Sequence, residues 1–336
     1  MYTEEYTGIN SFLVGASRLL LKEGVKRETR GKVCYELPEP FMFKITNPKA
    51  RLITIPERGW NVALAYAESL WLACGRNDLG FIQNYLSRMA DFSDDGLTLR
   101  GGYGPRLRKY NGNANDYQII NSTDSMERYR SNTIDQLDFV IKCFEKDKNT
   151  RQAIITIGDP VKDSFELNRA LKQTKDFPCT RSLQFMKQPN SNKLNLTVYM
   201  RSNDILWGAS AVNIFNFTFM QEYIAHLLGL EVGDYFHIAN NFHFYEEGKD
   251  KIEKIASVSN FTDESFDYRY NFKTLSSFDK LIRKLEISES LIPSNDLIVD
   301  FKDDFFNDWY KVLYHKRTKR EVGFVNPILN KIKAQK

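Results

Sequence analysis

The sequence predicts an α/β protein, because strand-like and helix-like spacings both recur along the chain. Apolar and polar side chains alternate over residues 194–199, as a strand with a period of two requires. The runs FMFKI at 41–45 and RLITI at 51–55, with prolines nearby, favour short sheet strands. Three longer segments place apolar residues at helical spacing and predict helices: 9–24, 60–74 and 212–229.

Local signals delimit the other elements. Gly24 and Gly75 follow the first two helical patterns and are predicted to end them. The polar stretch 111–130 is predicted to be a loop. A helix is expected over 135–144, and the apolar run AIITI at 153–157 is predicted to be a buried strand.

Length and charge limit the classes of function. With 336 residues, 42% of them hydrophobic, the chain can bury a substantial core. Its 47 basic and 43 acidic residues leave a net charge of only +4, which is too balanced to indicate a nucleic-acid partner. A small anionic ligand fits this balance better.

Cysteine spacing and the terminal sequence indicate the cellular setting. The four cysteines show no CxxC pair and no neighbouring histidine pattern, so reduced thiols and no metal site are expected. The first ten residues lack the features of a signal peptide, and no apolar run is long enough to cross a bilayer. The expectation is a cytoplasmic protein without a membrane partner.

The stretch 176–213 carries the densest chemistry. Pro178 precedes Cys179 and favours a strand edge over a helix interior, while the strand at 194–199 leads directly into Arg201. A lone cysteine is most often a small buried apolar side chain, and a polar run after a strand is usually a solvated turn. The alternative is that Arg201 meets Cys179 at the ends of neighbouring strands, stabilises its thiolate and anchors an anionic substrate.

Several sequence blocks, in this order and at these spacings, resemble the thymidylate synthase and pyrimidine hydroxymethylase family. The blocks are PCT at 178–180 followed by QF, MRSND at 200–204, Gly208, Asn213-Ile214 and NNFHFY at 240–245. The resemblance implies a thymidylate synthase-like α/β (α+β) fold: a large mixed β-sheet with flanking helices, in a homodimer whose sheets pack back to back. It covers residues 1–248 as the catalytic domain, and 249–336 is expected to be a C-terminal extension packed on the same domain.

The resemblance also assigns catalytic roles. Cys179 would attack carbon 6 of a pyrimidine ring, and Arg201 would hold the nucleotide phosphate and stabilise the thiolate. Glu68, within AESLWLACG, would be the general acid/base, and Tyr103 would assist proton removal from carbon 5. Asp204 would also serve catalysis by holding the pterin of 5,10-methylenetetrahydrofolate, the expected co-substrate, with Gly208 beside it.

The pyrimidine nucleoside monophosphate is assigned by resemblance to Arg30, Arg151, Ser202, Asn213, His243 and Tyr245. Arg151 would reach the phosphate across the dimer interface, where Gln152 replaces a second arginine of the family. Asn213 would read the edge of uracil, because an amide both donates and accepts hydrogen bonds. However, one extra residue separates Arg201 from Asn213, so a gapless alignment would put Val212 at that position.

The product is less sharply determined by the sequence. Thr180 after the cysteine, Leu86 and Met89 in place of folate-side tryptophans, and the polar end KIKAQK favour hydroxymethylation by a narrow margin. Reductive methylation to thymidylate is the alternative. A nucleotide-binding relative without turnover is a third hypothesis, motivated by Gln152 and by Asn241 where the family often has aspartate.

Overall fold

The computed structural model describes residues 1–29, 31–117, 133–294 and 298–334. The strands are β1 (Tyr2–Tyr6), β2 (Val25–Thr29), β3 (Lys32–Glu36), β4 (Phe41–Ile45), β5 (Ile154–Thr156), β6 (Thr180–Lys187), β7 (Lys193–Met200), β8 (Asn203–Asp204), β9 (Glu231–Ala239) and β10 (Phe242–Tyr245). The helices are α1 (Ile9–Glu23), α2 (Val62–Ala73), α3 (Leu79–Ile82), α4 (Tyr103–Arg108), α5 (Gln136–Lys146), α6 (Pro160–Asp163), α7 (Ile214–Leu227), α8 (Lys249–Ser257), α9 (Leu275–Ser290), α10 (Asp304–Thr318) and α11 (Pro327–Ala334).

A six-stranded mixed sheet forms the centre of the molecule, in the order β1-β4-β9-β7-β6-β5. The pairs β1–β4 and β7–β9 are parallel, and the remaining pairs are antiparallel. Strands β2, β3, β10 and β8 form a second, four-stranded sheet in that order. The large mixed sheet with flanking helices is the predicted fold.

Helix α7 covers one face of the large sheet and helix α2 packs on α7; both helices are almost wholly buried. Leu194, Leu196 and Val198 of β7 are fully buried on this face. Gln221 of α7 donates to the carbonyl of Leu194 at 2.8 Å, which ties the helix to the strand. Because both helices are apolar on nearly every side, they belong to the interior.

Most predicted elements are confirmed, and two require correction. The helices at 9–24, 60–74, 135–144 and 212–229 and the strand at 194–199 are present. Residues 51–55 are buried apart from the half-buried Thr54, but they form no strand. The N–H of Thr54 donates to the Asn10 side chain and not to a neighbouring strand, and the Arg51 side chain pairs with Glu222. The run 153–157 yields only the edge strand β5, in which Ile155 is buried and Ile154 is 40% exposed.

The segment after residue 248 packs directly on α2 and its neighbours. Trp309 of α10 is fully buried and donates from Nε1 to the carbonyl of Tyr66 in α2 at 2.8 Å. Asp279 of α9 accepts two hydrogen bonds from the buried guanidinium of Arg108. The core therefore runs without a break from the large sheet into these helices. Among the described residues, no helix combines the length and apolar character that crossing a membrane requires.

Candidate active site

A cleft of about 270 Å³ opens where α2, α4 and β10 meet the chain that leaves β7. Ten residues of the sequence-predicted site line it: Glu68, Tyr103, Cys179, Arg201, Ser202, Asp204, Gly208, Asn213, His243 and Tyr245. They come from positions as far apart in sequence as 68 and 245. The fold thus gathers the predicted catalytic groups and most of the predicted binding groups in one place.

Cys179 and Arg201 meet at the ends of adjacent antiparallel strands. The register pairs Thr180 with Met200, and the N–H of Arg201 donates to the carbonyl of Cys179 at 2.9 Å. The Arg201 guanidinium donates to the carbonyls of Pro178 and Phe177 at 3.0 and 2.8 Å and lies 4.9 Å from the Phe177 ring centre. The arginine therefore holds the loop that presents the thiol and keeps a positive charge on that loop.

Tyr103 contacts the same strand end from the first turn of α4. Its hydroxyl oxygen accepts the N–H of Thr180 at 2.8 Å, so the phenol lies next to the nucleophile. Burial, together with the nearby Cys179, raises the pKa of Tyr103 above its ordinary value. The phenol is consequently neutral near pH 7, and its O–H remains available to donate to a substrate or a water.

Glu68 enters the cleft from the middle of the apolar helix α2. Burial raises its pKa to about 7, while a hydrogen bond from the Asn216 amide opposes the rise and the Asp176 carboxylate adds to it. Ser69 donates to Oδ1 of Asn216 at 2.7 Å, which leaves the Asn216 NH₂ group to face Glu68. A carboxyl group with this pKa exchanges a proton readily at neutral pH.

The segment between Arg201 and Asn213, which has one residue more than the usual family spacing, contains a stretch of π-helix. Residues Ile205–Asn213 form this wider helix, and the N–H of Ile214 bonds to the carbonyl of Ala209, five positions back. A π-turn accommodates one more residue than an α-turn without reversing the chain, and such turns are common at functional sites. Asn213 and Val212 both line the cleft. The Asn213 side chain makes no capping hydrogen bond to α7.

Gly208 is required by the close approach of two amide side chains. A Cβ at this position would collide with Oδ1 of Asn203 and lie 2.9 Å from Oδ1 of Asn213. Asn203 is itself fixed, because its Nδ2 lies 3.0 Å from Nε2 of His237. Burial lowers the pKa of His237 to about 3, so the ring is neutral and accepts this hydrogen bond.

Asp204 caps the π-helical segment and also faces the cleft. Its carboxylate accepts the N–H of Trp207, and burial raises its pKa to about 6 in spite of opposing hydrogen bonds and the nearby Arg58. The carboxylate is thus both a structural cap and a buried polar group in reach of a ligand. The sequence predicts the second of these roles but not the first.

Ser202 belongs to a chain of polar contacts that explains a departure from the family pattern. Its hydroxyl donates to Oδ1 of Asn241 at 3.1 Å, and Nδ2 of Asn241 donates to Glu36 at 2.6 Å. Glu36 in turn pairs with Arg27. An aspartate at 241 could not donate to Glu36 and would place two carboxylates together. Asn241 is therefore matched to its neighbour, which weakens one motive for the hypothesis of a relative without turnover.

His243 and Tyr245 project from the same face of β10, because side chains two positions apart in a strand point the same way. Their rings meet edge to face with centres 5.1 Å apart. The intervening Phe244 and the preceding Phe242 point into the core and are buried. The pair therefore contributes one wall of the cleft.

Sequence reasoning missed an aromatic wall and a third carboxylate. Phe92 and Trp207 line the cleft with ring centres 5.5 Å apart, and Trp207 remains 41% exposed. Met89 lines the cleft beside them. Asp176 lines it as well, three positions before the nucleophile. The sequence signal for this aromatic wall was the tryptophan three positions after the MRSND block. Phe92 could not be linked to it, because Phe92 lies more than a hundred residues away in the sequence.

Two predicted phosphate ligands do not appear in this cleft. Arg151 is exposed ahead of the edge strand β5, and it does not line the cleft. Arg30 lies outside the described residues. Within the described ranges, no group of three or more histidine, cysteine or acidic side chains is arranged to hold a metal ion.

Comparisons with known proteins bear on this site. A family model described as thymidylate synthase matches residues 15–287 and so continues past residue 248 into α9. A deoxyuridylate hydroxymethyltransferase of Bacillus phage SP01 is 34% identical over 271 residues, which are 79% of this chain and 66% of that protein. A protein of the same name from Pseudomonas phage M6 is 32% identical over 70% of this chain and 60% of its own length. Another, from Delftia phage PhiW-14, is 31% identical over 63% of this chain and 54% of its own length. The chain thus spans just under two thirds of the first relative and less of the other two.

Proposed function

Because the chain belongs to the thymidylate synthase family, we propose that it transfers a one-carbon unit from 5,10-methylenetetrahydrofolate to carbon 5 of a uracil nucleoside monophosphate, dUMP or a close relative. Water would complete the product as a 5-hydroxymethyl group. The observation that carries the proposal is the convergence of a thiol, an arginine, a phenol and a titratable carboxyl group in one cleft. The names of the three phage relatives support the choice of base and of product.

The first step is the addition of the Cys179 thiolate to carbon 6 of the ring. The sulfur forms a bond to carbon 6, and the ring electrons move through carbon 5 onto the oxygen at carbon 4. Arg201 supplies positive charge at the strand end where the thiolate must be present, and it would also bind the nucleotide phosphate with Ser202. This step makes carbon 5 nucleophilic.

The proton transfers are assigned to Glu68 and Tyr103. In its protonated form Glu68 would donate through water to the oxygen that gains charge as the thiolate adds, and its pKa of about 7 suits this exchange. Tyr103, neutral and next to Cys179, would orient the water that removes the proton from carbon 5. Asn213 would bind the edge of uracil, and His243 with Tyr245 would bind the sugar.

The far side of the cleft suits a flat, partly polar co-substrate. Methylenetetrahydrofolate supplies the one-carbon unit when it is bound. The tilted rings of Phe92 and Trp207 offer an apolar surface for a planar ligand, and Asp204 next to Gly208 offers a carboxylate for its polar edge. These residues therefore fit a pterin at this side of the site.

Exchange of the base reader is expected to change the substrate. In Asn213→Asp the amide that donates to uracil is lost, and a carboxylate that accepts from the exocyclic amine of cytosine replaces it. We expect kcat/KM for dUMP to fall by about 10²-fold, with dCMP gaining relative to dUMP, since an unmatched buried polar contact costs roughly 2–3 kcal/mol. Steady-state kinetics with both nucleotides measure the ratio. An unchanged preference would show that Asn213 does not read the base.

We infer a homodimer that forms through the open face of the large sheet. On the face away from α7, Tyr199, Met186 and Ile154 are 39%, 38% and 40% exposed, which is unusual for apolar side chains of a central sheet. Arg151 lies exposed near the same edge. Packing of two such faces would cover these side chains and bring Arg151 to the phosphate site of the other subunit.

A mixing experiment tests the shared site. Arg151→Ala and Cys179→Ala are each expected to be nearly inactive, because one lacks a phosphate ligand and the other lacks the nucleophile. If Arg151 acts across the interface, subunits unfolded and refolded together should recover up to about a quarter of wild-type activity, since half of the dimers are mixed and each holds one intact site. Each variant refolded alone is the control. No recovery in a mixture that light scattering shows to be dimeric would place Arg151 outside the partner's site.

Covalent trapping tests the proposed chemistry most simply. Fluorine at carbon 5 cannot leave as a proton does, so 5-fluoro-dUMP with methylenetetrahydrofolate should halt the reaction with both molecules attached through Cys179. Mass analysis of the peptide that contains Cys179 detects the adduct, and omission of the folate is the control. Absence of an adduct with uracil and cytosine nucleotides alike would reject the catalytic proposal in favour of a binding protein.

A further inference from the structure

We propose that Asp176 is the general base that removes a proton from the water that completes the product, an assignment that rests on the proposed function. Asp176 lines the cleft three positions before Cys179, on the same loop that presents the thiol. The steps assigned above to Glu68 and Tyr103 leave this carboxylate without a role. A hydroxymethylating enzyme needs one group more than a methylating enzyme, because its last nucleophile is water.

The carboxylate of Asp176 is held in place. The N–H of Gly101 donates to its Oδ2 at 2.8 Å, and the backbone of the next two residues is fixed by the bonds from Arg201 to Phe177 and Pro178. A Cβ at Gly101 would lie 2.6 Å from the carbonyl of Asp176 and 2.9 Å from its Oδ1. Only glycine at 101 permits this approach. One carboxylate oxygen is thus engaged by the backbone while the cleft is open to the side chain.

The surrounding charges leave Asp176 ionised near neutral pH but more basic than an ordinary aspartate. Burial raises its pKa to about 6, Asp94 adds to the rise, and the Gly101 N–H with the Arg106 and Arg100 guanidinium groups opposes it. The other titratable or charged groups that line the cleft are Glu68, Tyr103, Lys175, Cys179, Arg201, Asp204, His243 and Tyr245. A base of this strength can accept a proton from water as the new bond forms.

Asp176 and Glu68 divide acid and base roles between them. The charge of Asp176 contributes to the raised pKa of Glu68, which therefore keeps its proton to about pH 7, while Asp176 loses its proton about one unit lower. Two carboxyl groups whose surroundings separate their pKa values can serve as acid and base in one site. Glu68 would therefore serve the ring oxygen, and Asp176 the incoming water.

The step balances without an oxidant or a reductant. After the folate leaves, the ring carries an exocyclic methylene at carbon 5 and the Cys179 sulfur at carbon 6. The oxygen of water bonds to the methylene carbon, one water proton passes to Asp176, and the methylene π electrons return to the ring as an enolate. The enolate then re-forms the carbon 5–carbon 6 double bond and expels the Cys179 thiolate. Asp176 afterwards releases its proton to solvent.

Asp176→Asn tests the assignment, because an amide keeps an acceptor for the Gly101 N–H but is not a base. In the first turnover, formation of the 5-fluoro-dUMP adduct on Cys179 and loss of the carbon 5 proton from dUMP should proceed at nearly wild-type rates. Formation of the hydroxymethyl product should fall by about 10²- to 10⁴-fold. Added 2-mercaptoethanol, which as a thiolate needs no general base, should divert the methylene intermediate to a thioether of the nucleotide. The wild-type rise of product formation through about pH 6 should be absent from the variant.

Asp250→Asn is the matched control. Asp250 is an exposed carboxylate in the first turn of α8 and does not line the cleft. This variant should hydroxymethylate as the wild type does. If Asp176→Asn hydroxymethylates at the wild-type rate, or if adduct and product fall in parallel, the assignment of Asp176 as the general base is overturned. The proposed function would still stand in either case. A wild-type protein that forms no adduct, or that makes a methylated nucleotide, would overturn the proposed function and this inference with it.

Discussion

Cys179→Ala is expected to lower kcat by about 10⁴-fold or more while leaving the affinity for dUMP within a few fold of wild type. The pyrimidine ring cannot react at carbon 5 until a nucleophile adds at carbon 6, so no other group in the cleft replaces the thiol. The phosphate, base and sugar contacts assigned to Arg201, Asn213 and His243 remain in the variant. Calorimetric titration with dUMP and a single-turnover assay with methylenetetrahydrofolate separate binding from chemistry.

Cys143→Ala provides the control for the loss of a thiol. Cys143 lies partly buried on α5, and it does not line the cleft. Its replacement should leave both dUMP binding and turnover near wild-type values. Residual turnover of Cys179→Ala above one hundredth of wild type would show that another residue is the nucleophile.

Glu68→Gln is expected to lower kcat by about 10²- to 10⁴-fold, with a smaller effect on nucleotide affinity. Glutamine keeps the shape of the side chain but cannot give up or take up a proton. With a pKa of about 7, Glu68 is protonated below neutral pH, so a wild-type rate that needs the acid form should decline as the pH rises through about 7. This decline should be missing from the variant. Rate profiles between pH 5 and 9 for both proteins measure it.

The stability of Glu68→Gln distinguishes lost chemistry from lost structure. A carboxyl pKa that is raised in the folded protein means that the folded state binds the proton more tightly than the unfolded state does. Glu68 therefore favours folding fully below about pH 4.5, and this contribution is lost between about pH 4.5 and 7. Glutamine cannot ionise, so denaturant unfolding at pH 8 should find the variant at least as stable as the wild type. Glu57→Gln, at an exposed carboxylate before α2, should be neutral in rate and in stability.

The helices and the central strand were predictable because their signals are local. The alternation over 194–199 and the apolar spacing of α2 and α7 follow directly from the side-chain periods of strand and helix. The run at 51–55 misled because its apolar residues are indeed buried. No strand in the described part of the chain pairs with this segment. The Asn10 side chain instead accepts the hydrogen bond from the Thr54 N–H that a neighbouring strand would accept. Spacing alone cannot distinguish these two ways of burying a segment.

The site was predictable where short motifs carry it and not where distant segments meet. The resemblance identified Cys179 and Arg201, and the fold brings both into the cleft. The segment that leads to Asn213 has one residue more than the usual family spacing, and the π-helical turn within it leaves no obvious mark in the sequence. Phe92 reaches Trp207 only through the tertiary fold, and the burial that shifts the pKa of Asp176 is likewise a tertiary property.

The most direct test of the central claim is mass analysis of the nucleotide formed from dUMP and methylenetetrahydrofolate by the wild-type protein. We expect a gain of one hydroxymethyl group on the uracil ring, with the folate released as tetrahydrofolate. Parallel incubations with dCMP, CMP and UMP establish the preference for base and sugar. A methyl group on the ring, together with dihydrofolate, would contradict the proposal and would show that this cleft excludes water until hydride transfer is complete.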